Sequence, residues 1–291
     1  MKTFILIWES FRSKQWMKNL FIFAGILFSQ NILDFLLLSK VIFAFLIFCF
    51  LSGSIYIFND LTDLEQDRRH PVKSHRPLAS GRLKAGQAIS ALIIFIPSSL
   101  AVSYWLNLSF FIIALAYFLL QLAYSFSLKN VVILDVFIVA IGFVLRVLAG
   151  AVVINVEISS WFLVCAILLS LFLGLSKRRY ELVVLKEKAQ NYRKVLAEYS
   201  PYLLDQMISV VTSATVVAYT LYTVSPETIQ KFKTKNLIFT VPFVLYGIFR
   251  YLYLIHQKGL GGNPENILVT DKPLMIDILL WVITAGIILY G

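Results

Sequence analysis

Long apolar blocks separated by short polar connections dominate the chain. Nine blocks approach the roughly 20 apolar residues that a helix needs to cross a bilayer. They are 20–38, 41–58, 87–105, 108–126, 132–154, 160–176, 202–224, 236–255 and 273–290. The connections within 20–58 and within 87–126 are so short that each pair reads as a tight helical hairpin. Ahead of the first block, the apolar run Thr3–Trp8 is brief and is followed by Glu9, Arg12, Lys14 and Lys18. That is too short and too interrupted for a cleavable signal, and it reads as a basic amphipathic segment lying on a membrane. The fold expected is all-α, a polytopic membrane bundle of about nine transmembrane helices in a single domain spanning 1–291.

Composition agrees. The chain is 59% hydrophobic and 14% charged, against about 45–50% and about 25% in ordinary soluble domains. A mean hydropathy of +0.81 excludes a soluble enzyme, a disordered tail and a coiled coil. The net charge of +10 would suggest nucleic acid in a soluble protein. Here it follows the membrane instead, and no nucleic-acid partner is expected. With the N-terminus inside, 20 Lys and Arg fall on the inner side and four (Lys40, Lys231, Lys233, Lys235) on the outer, while Arg146 and Arg250 lie within spans. This bias sets a cytoplasmic N-terminus, long cytoplasmic loops at 59–86, 177–201 and 256–272, and an outside C-terminus in the cell (inner or plasma) membrane. Cys49 and Cys165 sit in apolar runs without metal-ligand or disulfide spacing and read as small hydrophobes.

The polar residues gather where spans end at the cytoplasm, not at the bilayer midplane where a transporter places its substrate site. The densest group is Asn59-Asp60-Leu61-Thr62-Asp63-Leu64-Glu65-Gln66-Asp67. On a continuing helix, Asn59, Asp63 and Asp67 share one face at i, i+4 and i+8, and Asp60 joins from the i+3, i+7 register. Carboxylates so placed repel one another unless something compensates. Hard oxygen ligands with room for water suit Mg²⁺, which is bound in combination with substrate phosphates. A solvated acidic helix end is the plainer alternative. Arg68, Arg69, His70, Lys73, His75 and Arg76 follow at once, then Pro77-Leu78-Ala79-Ser80-Gly81-Arg82. For most of these cations headgroup anchoring suffices. Arg76, fixed by the Pro-Leu-Ala-Ser-Gly that follows, is the best candidate to hold a phosphate.

Other candidates lie apart in the chain. Lys129 follows Tyr124-Ser125-Phe126-Ser127-Leu128 at a span end, where its ammonium could reach a phosphate. Arg146 lies deep in the fifth block, and a charge there must pair or face a polar cavity. An ion pair between helices and a substrate contact are both open for it; Asp135, about three turns away, is its nearest acid in sequence. Lys177-Arg178-Arg179-Tyr180-Glu181 opens a charged amphipathic helix running through Tyr199. Gly259-Leu260-Gly261-Gly262 lacks the strand–helix context of a phosphate loop and reads as a turn.

These residues resemble the UbiA superfamily of intramembrane prenyltransferases. The resemblance rests on Asn-Asp-x-x-Asp-x-x-x-Asp at 59–67, Arg-Pro-Leu-Ala-Ser-Gly at 76–81 and Tyr-Ser-x-x-Leu-Lys at 124–129. It implies nine helices with cytoplasmic catalytic loops and diphosphate chemistry with Mg²⁺. Members that prenylate aromatic rings carry a second aspartate-rich motif after the sixth helix. Here that position reads Lys177-Arg178-Arg179-Tyr180-Glu181, which leaves one carboxylate among three cations. The N-terminal Arg12-Ser13-Lys14-Gln15-Trp16-Met17-Lys18-Asn19, with Ser for Pro, and Asn263-Pro264-Glu265 are similar to elements of one branch, the decaprenyl-phosphate phosphoribosyltransferases.

The branch implies transfer of 5-phosphoribose from phosphoribosyl diphosphate to a polyprenyl phosphate. On this reading Asn59, Asp60, Asp63 and Asp67 hold Mg²⁺. Asp60, Asp63 and Lys129 act at the reacting diphosphate, and Lys129 and Arg76 neutralise it as it leaves. Lys14, Lys18, Lys177 and Arg178 serve the 5-phosphate or the lipid phosphate, and Tyr124 and Arg146 are further substrate contacts. The polyprenyl tail would lie between helices, open to membrane lipid. Two alternatives stand: transfer of a polyprenyl group from its diphosphate to an aromatic or other small acceptor, and a non-enzymatic carrier of polyprenyl lipids.

Overall fold

The computed structural model describes residues 2–69, 72–185, 194–262 and 264–290. A surface helix α1 (Lys2–Ser10) leads into a 3-10 segment, Ser13–Phe23, and a single turn of α-helix, α2 (Ala24–Leu27). Then come α3 (Phe35–Thr62), the short α4 (Leu64–Arg69), α5 (Ala85–Leu106), α6 (Leu108–Phe126), α7 (Leu134–Val152) and α8 (Ser160–Leu185). The chain ends with α9 (Pro201–Val224), α10 (Pro226–Phe232), α11 (Val241–Gln257), α12 (Pro264–Thr270) and α13 (Lys272–Tyr290). Eight helices among the described residues are long and apolar enough to cross a membrane. The all-helical multi-pass architecture expected from hydropathy is therefore present.

The difference from nine lies in 20–38. Asp34 accepts hydrogen bonds from the Leu36 and Leu37 N–H groups at 2.9 and 3.0 Å and so caps α3. The apolar residues 35–38 consequently belong to α3, and the expected first hairpin is not a pair of helices. Residues 13–27 nevertheless run the length of α3 in the opposite direction. Arg12 meets Asp60, Asn19 meets Ser52 and Cys49, and the Phe23 ring packs on Phe45. Asn107 makes the second hairpin as expected, ending α5 and accepting the Phe110 N–H at 3.1 Å to cap α6.

Two compact units can be distinguished: residues 1–131 with 145–157, and residues 132–144 with 158–291. The core of the first is built on Ile22, Ile26, Val41, Ala44, Phe48, Phe110 and Tyr117, with a second cluster around Phe11, Ile57, Leu78 and Leu83. The core of the second gathers Val136, Leu171, Phe172, Leu175, Leu204, Tyr251 and Leu254.

Helix length positions the chemistry. The 28 residues of α3 extend about 42 Å at about 1.5 Å per residue, against a hydrocarbon core about 30 Å thick. Its last turns therefore emerge from the apolar layer carrying Asn59 and Asp60. The same holds for α8, which continues as helix through Lys177–Glu181 to Leu185. The expected loop 177–201 thus begins as helix, and the central part of its expected charged helix, 186–193, lies outside the described residues.

Candidate active site

In the first unit the acidic cluster is helical with one break. α3 ends at Thr62 and α4 starts at Leu64, but the Asp63 and Asp67 N–H groups still donate to the Asn59 and Asp63 carbonyls at 2.9 and 2.8 Å. The carboxylates do not form one stripe. Asp60 and Asp67, both buried with side chains 2% exposed, share the Arg76 guanidinium at 3.0 and 2.5 Å. Arg12 also binds Asp60, and Lys73 Nζ lies 3.5 Å from Asp67. Asp63 faces another way and pairs with Lys129 Nζ at 2.7 Å. Asn59 accepts from the Ser125 hydroxyl, on the residue that follows Tyr124 in α6. The structure thus brings Asn59, Asp60, Asp63, Asp67, Arg76 and Lys129 together, with Tyr124 half-buried at the edge.

Local packing explains these placements. The Arg76 loop is tied by Leu83 N–H donating to the Pro77 carbonyl at 2.8 Å, and it anchors Leu78 and Leu83 in the core. Gly81 turns it with φ +76, a region that a side chain resists. On α3, Gly53 leaves room for the ring of buried Phe11, where an added Cβ would overlap it. Tyr56 and Asp60 lie on the same face at i+3 and i+7. The neighbour of Phe11, Arg12, therefore rests on the Tyr56 ring at 5.0 Å and reaches Asp60. Burial pulls the Arg12 guanidinium below its ordinary pKa while Asp60 opposes that shift; an arginine remains charged regardless.

Lys14 is exposed and Lys18 half-buried on the 3-10 segment. Arg146 is buried and donates to Asn19 Oδ1 at 2.8 Å and to the Tyr117 hydroxyl at 2.7 Å, with its guanidinium 4.8 Å from that ring. It secures the crossing segment to α6 and α7, and Asp135 takes a different cation.

That cation is Arg178, in the second unit. Its Nε donates to Asp135 Oδ2 at 2.6 Å and its Nη1 to Glu181 Oε2 at 2.9 Å. The Tyr199 hydroxyl donates to Asp135 Oδ1 at 2.7 Å and accepts the Ile133 N–H at 2.7 Å. Burial and the hydrogen bond to Asp135 push the Tyr199 phenol up, so it stays protonated as a donor. Arg179 pairs with Asp205, and Lys177 is half-buried. Gly261 and Gly262 pack on Tyr180, where a Cβ on Gly262 would strike the ring. Their smallness serves that contact, which the sequence reading as a turn did not anticipate. Asn263 and the Glu265 side chain lie outside the described residues.

Among the described residues, no three His, Cys, Asp or Glu side chains are grouped to hold a metal alone. Mg²⁺ needs no such cage, since it takes one or two carboxylates and completes its shell with water and phosphate. The oxygen donors here fit a cation shared with a phosphorylated substrate.

The pattern of the UbiA prenyltransferase family matches residues 19–263. The chain belongs to this family. It is 34% identical over 295 residues to a decaprenyl-phosphate phosphoribosyltransferase of Mycolicibacterium smegmatis, covering 97% of this chain and 92% of that one. A protein of the same name from Corynebacterium glutamicum is 34% identical over 283 residues, covering 94% and 83%. The fold is similar to the solved structure of a UbiA homolog from Archaeoglobus fulgidus bound to GPP and Mg²⁺. The TM-score is 0.74 at 20% identity, over 98% of this chain and 100% of that one. The regular structure of the described residues is all helical, and the chain is an enzyme of the UbiA superfamily that resides in a membrane.

From the sequence, Arg12 falls in a family-like element without a role of its own, Lys73 falls among cations read as headgroup anchors, and Ser125, Tyr117 and Tyr199 have no role. Ser125 lies inside a motif already singled out, whereas the partners of Arg12, Tyr117 and Tyr199 are visible only once distant segments are packed.

Proposed function

We propose that this protein transfers 5-phosphoribose from phosphoribosyl diphosphate to a polyprenyl phosphate and releases diphosphate, with Mg²⁺ as cofactor. The observation that carries the proposal is the near full-length likeness to proteins named decaprenyl-phosphate phosphoribosyltransferase. A single carboxylate cluster hemmed by Arg12, Lys73, Arg76 and Lys129 supports it, because such a cluster suits one diphosphate. We take the 291 residues as one functional domain. We orient the Asn59–Asp67 end to the cytoplasm from the distribution of Lys and Arg, and in a cell membrane that end would meet the water-soluble donor.

Asn59 and Asp63, with Asp60 and Asp67, would hold Mg²⁺, which when bound neutralises charge developing on the diphosphate. Arg76 and Lys129 stabilise the leaving diphosphate oxygens through charge-assisted hydrogen bonds. Lys14, Lys18 and Lys177 are our candidates for the 5-phosphate and the lipid phosphate, with Tyr124 positioning the donor. Arg178, only 6% exposed and bonded to Asp135 and Glu181, is assigned to holding the α8 extension, unlike the more exposed Arg76. A lipid phosphate oxygen attacks C1 of the ribose as the C1–oxygen bond breaks, and the bonding pair leaves with diphosphate. The nucleophile is already ionised, so no strong base is required, and catalysis is positioning plus electrostatics.

Purified protein in lipid nanodiscs, given labelled phosphoribosyl diphosphate, polyprenyl phosphate and Mg²⁺, should form a lipid-linked phosphoribose. Turnover of polyprenyl diphosphate onto a small acceptor, without that product, would refute the proposal.

A further inference from the structure

In the first unit four cations face three carboxylates: Arg12, Lys73, Arg76 and Lys129 against Asp60, Asp63 and Asp67. The local charge is therefore positive by one, although the motif reads as acidic. Each carboxylate that would hold a divalent cation already has a resident counter-ion. Asp60 has two guanidiniums and Asp67 has one guanidinium and an ammonium. A bare divalent cation entering this cluster meets net repulsion and must displace those partners. A diphosphate brings several negative charges, gives the displaced guanidiniums new oxygens and leaves the carboxylates to the metal.

Arg12 is built for such an exchange. Its backbone is left-handed, φ 53 and ψ 59, at the junction between α1 and the 3-10 segment. A residue without glycine's freedom is held there only by its surroundings, here the wedge of Phe11 against Gly53, Phe50 and Phe95. Its side chain is 27% exposed while it holds Asp60, so it is not sealed off from solvent.

We propose that Arg12 and Arg76 are exchangeable counter-ions of Asp60 and Asp67, so that the site takes up a divalent cation only together with a diphosphate and Arg12 passes from carboxylate to phosphate as it does. The proposal rests on the reading above that this end of the bundle handles a diphosphate. It makes Arg12 a binding residue and makes metal and diphosphate affinities mutually dependent, as linkage requires.

The test uses the full chain in nanodiscs. Binding of Mn²⁺ alone is followed by electron paramagnetic resonance, and binding of labelled inorganic diphosphate by filtration with and without Mg²⁺. Wild type should take up Mn²⁺ alone only weakly and bind diphosphate at least roughly tenfold tighter with Mg²⁺, within the usual range of such couplings. Arg12→Gln should bind Mn²⁺ alone more tightly and diphosphate with Mg²⁺ less tightly, shrinking the coupling. Arg12→Lys keeps the charge, guards against a folding defect and should fall between the two. Tight Mn²⁺ binding by wild type without diphosphate would overturn the proposal, as would an Arg12→Gln protein, intact by thermal unfolding, with both affinities unchanged. Coupling retained in a protein that fails the phosphoribosyl assay would uphold it and remove only the donor.

Discussion

Arg178 separates a structural from a substrate-binding reading of the cationic run on α8. Its side chain is 6% exposed and that of its partner Asp135 is 0% exposed. Replacing Arg178 with Gln removes the guanidinium from Asp135 and from Glu181, while the Tyr199 hydroxyl still donates to the buried Asp135 carboxylate. Breaking a buried pair from one side costs about 3–5 kcal/mol. The retained Tyr199 hydrogen bond puts this case at the low end, about 3 kcal/mol. At about 2–4 °C per kcal/mol for chains of some 150–250 residues, the midpoint of thermal unfolding in a mild detergent should fall by roughly 6–12 °C. Asp135→Asn on that background removes the stranded charge and should recover about 2 kcal/mol, a coupling of the size seen for residues in one network. Steady-state kinetics well below the transition should show a KM for the phosphoribosyl donor within about twofold of wild type, because the Arg178 side chain is only 6% exposed whereas those of Arg12 and Arg76 are 27% exposed. An Arg178→Gln protein that melts with wild type while its donor KM rises tenfold would refute this reasoning and return Arg178 to phosphate binding.

Three further expectations concern the first unit. Asp63→Asn should lower phosphoribosyl transfer by roughly 100-fold, the scale of removing one electrostatic contributor at a reacting centre, while the melting midpoint moves little because Asp63 is 28% exposed; unchanged turnover would remove Asp63 from the metal site. Asn19→Ala takes an acceptor from buried Arg146 and a donor from Ser52, so unfolding should show a loss of about 2 kcal/mol, as for a hydrogen bond to a charged group. Gly150→Ala forces a methyl against the Ile22 carbonyl, and backbone cannot give way as a side chain can; thermal unfolding should report a loss of about 1–3 kcal/mol.

The bundle was legible because bilayer crossing leaves a coarse signal. Blocks such as 87–105 and 108–126 are apolar throughout, and the connection between them can only be a hairpin. The acidic motif was legible too, since Asn59, Asp60, Asp63 and Asp67 fall together at a span end. The single face expected for Asn59, Asp63 and Asp67 was not kept: Asp67 turns with Asp60 to Arg76 and Asp63 to Lys129. Which cation serves which carboxylate was not legible. Arg76 lies 16 residues beyond Asp60 and Lys129 lies 66 beyond Asp63, and no periodicity links such positions. Asp135 and Arg146 share a helix, yet their partners come from elsewhere: Arg178 and Tyr199 for the first, Asn19 and Tyr117 for the second. The helix boundary at 35 could have been read, because Asp34 before Phe35-Leu36-Leu37 is an N-cap signal that the continuous hydropathy of 20–38 concealed.

That concealed boundary has a mechanical consequence. If Phe35–Leu38 belong to α3, too few residues remain before it to cross as an α-helix. The segment ahead of α3 has a different rise. Eleven residues of 3-10 helix cover about 22 Å at about 2.0 Å each, and the four of α2 add about 6 Å, so a short stretch follows α3 over much of its length. So long a 3-10 run is unfavourable alone, and its stability must come from outside. Gly25 and Gly150 let its backbone close on Ala151 and on α7, and Asn19 ties it to Ser52, Cys49 and Arg146. The stretched segment also sets the site's register: with Asn19 fixed at the level of Ser52, its opposite course along α3 brings Arg12 level with Asp60. The buried Arg146, far from the carboxylates in sequence, holds Asn19 and thereby helps to bring Arg12 level with Asp60.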